Sequence, residues 1–389
     1  MQDPYKSVED RAFWSRAVAR EFDPGAVSDL PPFTFGHQDA FMSAGSCFAS
    51  NVRRYLESWG CSYTVAEYPH PQWPESQETL YYEAFSARYG NIYTARQMVQ
   101  LLQRATGAFS PAEEYWVDPE GHFIDPFRPG LALRALSLPE FRALTSQHLA
   151  AVYRAVETSS VLVFTLGLTE AWYSADDGAV FPACPGTVSG SFDPDRHRFV
   201  NFPVDEITED IGRMTSILRS INPSMRIVLT VSPVPLVATA TGRHVLVATT
   251  HSKAMLRVAA DNAVRDDPGM AYFPAYELVT GPQNQGTAFE ADLRSVREET
   301  IDTVMQAFAS TYLGFPTVTK AEERSRSDTT TEDMIAQAFA DECEEMMADD
   351  QLRPIVRVPI IDTIPVPSTP VPTSGILQRL GAVRRRFDR

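Results

Sequence analysis

Two adjacent side chains, Ser46 and Cys47, carry nucleophilic atoms between Gly45 and Phe48. A hydroxyl or thiol attacks a carbonyl when a base accepts its proton and hydrogen-bond donors await the oxyanion, so acyl transfer from an ester or thioester is the chemistry this pair suggests. Residues 40–45 read as a short strand that stops at Gly45. After it, Phe48, Val52, Tyr55, Leu56 and Trp59 recur at helical spacing until Gly60 closes the run. The pair therefore belongs to a strand-to-helix turn, where N–H groups of the first helical turn point outward and the helix dipole favours a thiolate. The plainer alternative is that Cys47 packs as a small apolar side chain beneath the helix start.

Gly45-Ser46-Cys47-Phe48-Ala49 is the namesake motif of the GSCFA family, and further blocks resemble that family in the same order. They are Tyr89-Gly90-Asn91-Ile92-Tyr93-Thr94, Asp125-Pro126-Phe127-Arg128-Pro129, Phe164 to Trp172, Cys184-Pro185-Gly186-Thr187 and Val231-Ser232-Pro233-Val234-Pro235. The resemblance spans residues 33 to 310. The family in turn resembles the SGNH (GDSL-type) hydrolases, which implies a three-layer, flavodoxin-like fold and esterase or acyltransferase activity. Laid on that superfamily's Gly-Asp-Ser block, Gly45 matches the glycine, Ser46 the aspartate and Cys47 the nucleophilic serine. Cys47 is thus the first choice of nucleophile and Ser46 the second.

The same resemblance implies an oxyanion site from Gly90 and Asn91, and from Gly167-Leu168-Thr169-Glu170, where Thr169 stands in place of the superfamily's asparagine. Structural alternatives exist: Gly90 serves a turn and Glu170 a helix N-terminus. The last block, Asp-x-x-His, supplies the base and the aspartate that orients it. Here it reads Asp292-Leu293-Arg294-Ser295, so the catalytic candidates Asp292 and Ser295 lack the imidazole that accepts a proton near neutral pH. Three explanations remain. His251 or His244, both after the strand ending at Val231, or His37 acts as base; Cys47 works with less dependence on one; or the protein binds without catalysing, as a scaffold or binding module.

Elements must bring these blocks together. The runs Val161 to Leu166 and Ile227 to Val231 are short, apolar and largely β-branched, as in strands buried on both faces of a parallel sheet. Ile207, Ile211, Met214, Ile217 and Leu218 mark an amphipathic helix ending near Asn222-Pro223. Residues 251–265 and 295–309 look helical, with a strand expected between Met270 and Val279. Strands alternating with helices from 40 to 310 indicate a doubly wound, mainly parallel α/β domain. Its expected limits are 33–317, after an N-terminal extension of residues 1–32, and the aromatic and proline-rich stretch 61–150 reads as an irregular insertion. An acidic helical segment at 318–350 and a disordered proline-rich tail at 351–389 follow, the tail a solvated extension or a docking peptide for a protein partner.

Composition narrows the partners. Over 389 residues the formal charge is −16, against a nucleic-acid partner, since phosphate binding concentrates Lys and Arg. Neither an apolar run of membrane-spanning length nor a signal-peptide pattern is present, and the expected setting is the cytoplasm. Cys47, Cys61, Cys184 and Cys343 show no metal-ligand spacing, and no phosphate-cradling glycine loop occurs, so neither metal nor cofactor is expected. The expected ligand is a small-molecule, carbohydrate or lipid acyl compound.

Overall fold

The computed structural model describes residues 3–46, 49, 51–68, 85–131 and 134–314, all within the unit Met1–Asp349. The acidic segment and proline-rich tail expected at 318–350 and 351–389 lie outside the described residues. After the short helix α1 (Trp14–Ala17), five parallel strands form the central sheet: β1 (Ala40–Gly45), β2 (Ser62–Tyr63), β5 (Val161–Leu166), β9 (Arg226–Val231) and β10 (Met270–Tyr272). Their spatial order is β10-β9-β5-β1-β2. Strand order thus reverses beside β1, as in flavodoxin-like sheets, and ligands of such sheets bind where neighbouring connections part at the carboxyl ends.

Side chains alternate across the sheet with period two, and each set has its own helical layer. Met42, Ala44, Leu162, Phe164, Leu166, Ile227 and Leu229 pack with helices α3 (Ala95–Ala105), α4 (Leu138–Thr158), α5 (Val204–Ile221) and α6 (Val245–Val264). Phe41, Val161, Val163 and Val228 face α2 (Asn51–Ser58), α7 (Ala275–Thr280) and α8 (Glu298–Tyr312). This is the three-layer α/β arrangement expected from the sequence. No helix among the described residues is long and apolar enough to cross a membrane.

The stretch 61–150, read from sequence as an insertion, supplies β2 at the sheet edge and both α3 and α4. Among its described residues it also carries the hairpin of β3 (Trp116–Val117) and β4 (Phe123–Ile124). A two-residue strand has too few positions to show alternation, and aromatic residues around it mask the helical periodicity. Between β5 and α5, a small antiparallel sheet of β6 (Glu170–Ser174), β7 (Val180–Phe181) and β8 (His197–Asn201) forms an additional wall. The strand expected from Met270 to Val279 stops at Tyr272, and α7 begins beyond Pro274, whose ring removes an N–H that a strand would need.

Candidate functional site

Ser46, Gly167 with Leu168, and Ser232 follow directly on β1, β5 and β9, and all four line one cavity of about 290 Å³ at the carboxyl edge of the sheet. Its far wall comes from Ala171 and Trp172 of β6, Phe199 of β8, Pro182 to Cys184, and the loop Val234 to Ala240. Most of this lining is apolar.

Backbone geometry explains how Ser46 is set into it. Gly45 has φ +138°, and a Cβ there would collide with the Thr165 carbonyl oxygen and lie 2.8 Å from the Thr165 nitrogen. Only glycine lets β1 turn out while still paired with β5. The Ser46 N–H then donates to Thr165 O at 3.2 Å, and the Ser46 side chain faces Gly167, where an added Cβ would lie 3.1 Å from the Ser46 Cβ. Ser46 is 3% exposed, and its Oγ is buried without a hydrogen-bond partner among the described residues. Cys47, the preferred nucleophile, lies outside the described residues.

The 88–93 loop is fixed beside this turn by buried charge. Glu67 Oε2 accepts from the Arg88 N–H and from His148 Nδ1, both at 2.7 Å, while Arg128 donates to the Arg88 carbonyl at 3.1 Å and to Asp125 at 2.8 Å. Ile92 N–H reaches Gly45 O at 2.7 Å. Burial works against the Glu67 charge, but His148, Arg128 and the Arg88 N–H outweigh it and lower the carboxyl to about 2. Burial, helped by Arg128, pushes the His148 imidazole below its ordinary value in spite of Glu67. The Asp125 to Pro129 block therefore positions the loop that flanks the motif turn. Gly90 (φ +65°) makes its bend, and Gly90 and Asn91 border a separate small pocket that shares Tyr93, Pro182 and Ala183 with the main cavity.

The candidate oxyanion donors at 167–169 are occupied. The N–H groups of Gly167 and Leu168 both donate to Tyr93 O, at 3.0 and 2.8 Å. Thr169 is fully buried behind the cavity wall, its N–H and hydroxyl each 3.1 Å from Ser252 Oγ. Glu170 does line the cavity, where it accepts from the Thr239 hydroxyl at 2.8 Å and the Ala240 N–H at 3.3 Å.

None of the candidate bases lines this cavity. His244 caps α6, accepting from Leu246 N–H at 3.2 Å, and is exposed; His251 sits on the outer face of the same helix; exposed His37 precedes β1, at the opposite edge of the sheet. Asp292 and Ser295 do not line it either. They close on each other: Ser295 Oγ donates to Asp292 Oδ2 at 2.6 Å, and the N–H groups of Arg294 and Ser295 reach Oδ1 at 2.9 Å. Partial burial opposes these bonds, which prevail and hold the Asp292 carboxyl below the usual carboxylate range. The residue this block delivers to the cavity is Arg294.

A family model described as the GSCFA family matches residues 40–308. The chain belongs to the GSCFA family. No curated protein matches it.

Two cations of this GSCFA site escaped the sequence reading. Lys253 is 1% exposed, lines the cavity and donates from Nζ to Gly167 O at 2.7 Å. Its signal was a lysine on the buried stripe of a helix, with Ala248, Ser252, Leu256 and Ala260. Arg294 offered no periodic signal at all. Cys184 also borders the cavity, but burial pushes its thiol up to about 11, which keeps it protonated. Away from the site, Asp118, Glu120 and His122 bring potential ligand atoms within 4.8 Å of one another at the β3–β4 turn, and Asp118 is already engaged by His122 and Arg134.

Proposed function

We propose that this GSCFA protein transfers an acyl group from an ester or thioester through a nucleophile at the motif turn, Ser46 or the adjacent Cys47. The observation that supports the reading is Ser46, which lines an apolar cavity where the strand order reverses and whose buried Oγ has no hydrogen-bond partner among the described residues. The hydroxyl or thiol attacks the substrate carbonyl and forms an acyl-enzyme, and the nucleophile's proton leaves with the departing alcohol or thiol. Water or an acceptor hydroxyl then takes the acyl group. The SGNH-type triad does not supply the base in this scheme. Lys253, held against Gly167, places a hydrogen-bond donor in the same lining, which suits a developing oxyanion.

The cavity's size favours a short acyl compound over a long-chain lipid, since about 290 Å³ is at the small end of ligand pockets, roughly 300–1,000 Å³. Release of p-nitrophenolate from p-nitrophenyl acetate tests the activity. A burst equal to the enzyme concentration supports acylation. Absence of both burst and turnover supports the binding-protein reading, which the lack of a histidine among the described lining residues favours.

A further inference from the structure

We infer that Arg294 is an oxyanion-binding residue of this cavity, so that its ligand is a short apolar compound bearing a carboxylate or phosphate. The inference names the substrate class of the acyl-transfer reading and rests on that reading only for which bond reacts.

The Asp292–Ser295 turn is built to present this one side chain. Leu293 takes φ +57°, a left-handed conformation that is uncommon for residues other than glycine, and stands 72% exposed. An antiparallel bridge between Phe289 and Val296, with Glu290 N–H donating to Ser295 O and Leu293 N–H to Glu290 O, closes the loop at its base. Both oxygens of Asp292 are taken up inside the turn. The carboxylate thereby braces the loop instead of pairing with the guanidinium, although it lies near enough to feel that charge.

Arg294 Nε is buried without a hydrogen-bond partner, and among the described residues no acceptor engages its guanidinium. A buried donor left unmade is costly, and a planar guanidinium matches the paired oxygens of carboxylate or phosphate. Among the described lining residues the one carboxylate is Glu170, which Thr239 and Ala240 already bind. The balance favours an anion. Leu168, Pro182, Val234 and Leu236 supply the apolar walls. A cavity of roughly 150 Å³ takes benzene, so about 290 Å³ accommodates a six-carbon chain with its head group.

Isothermal titration of the full-length protein with hexanoate, hexyl phosphate and 1-hexanol tests this without any turnover. Hexanoate or hexyl phosphate should bind at least about tenfold more tightly than hexanol, and the tighter of the two identifies the anion. Arg294→Gln should weaken that ligand by about 10-fold to 100-fold, with Arg294→Lys intermediate and hexanol unaffected. Equal affinity of wild type and Arg294→Gln overturns the inference, as does hexanol binding as tightly as the anions or no probe binding at all. Anion binding that persists in a protein p-nitrophenyl acetate cannot acylate would sink the catalytic reading alone.

Discussion

Replacing the first glycine of the motif separates two costs that the structure lets one count. In Gly45→Ala the residue would keep φ near +138°, where non-glycine backbone strain costs about 1–3 kcal/mol. The new Cβ would also overlap the Thr165 carbonyl and force β1 away from β5, an overpacking cost of about 1–3 kcal/mol. Together these remove roughly 2–6 kcal/mol from a typical 5–15 kcal/mol. Gly60→Ala is the matched control. It too has positive φ, +73°, but nothing lies within 4 Å of its Cβ position, which leaves a backbone cost of about 1–2 kcal/mol. Urea unfolding followed by circular dichroism should move the midpoint by roughly 0.7–2 M for Gly45→Ala at a slope of about 3 kcal/mol/M, and by about 0.3–0.7 M for Gly60→Ala. Equal midpoints for the two variants would refute the claim that close approach to Thr165 selects this glycine.

Thr169→Val should leave acylation within about twofold of wild type and cost about 1 kcal/mol, because the hydroxyl serves Ser252; a loss of about 100-fold would return Thr169 to the oxyanion site. His251→Ala should leave the acylation rate unchanged, and a loss of activity would show that this exposed histidine reaches the nucleophile. Acid should destabilise the fold in two stages. The lowered His148 pKa means that the unfolded chain binds the proton more readily, so stability falls as pH drops below about 6.5. Glu67, lowered to about 2, contributes stability above about pH 4.5 that is lost as pH falls toward 2, roughly 3 kcal/mol in all, and urea midpoints of Glu67→Gln should lack that second stage.

The sheet was legible because β5 and β9 are continuous apolar strands and α5 carries a clear amphipathic stripe. The motif turn was legible for the same reason: Gly45 ends one period and Val52 and Leu56 begin another. The rest of the site depends on contacts distant in sequence. Asp292 and Ser295 fit a pattern with a vacant base, yet their mutual hydrogen bond turns that block into a brace for Arg294. Thr169 fits an oxyanion position by alignment, but its partner, Ser252, is 83 residues away. Glu67 and His148 lie in the stretch taken as an insertion, and only folding brings them against Arg88.

Intact mass and peptide mapping after brief exposure to p-nitrophenyl acetate test the central claim most directly, with Ser46→Ala and Cys47→Ala proteins run beside the wild type. The account predicts one added acetyl group, about 42 Da, on Ser46 or Cys47, abolished by substitution of the residue that carries it. An unmodified protein, or acetyl groups scattered over surface lysines and unchanged in both variants, would contradict it.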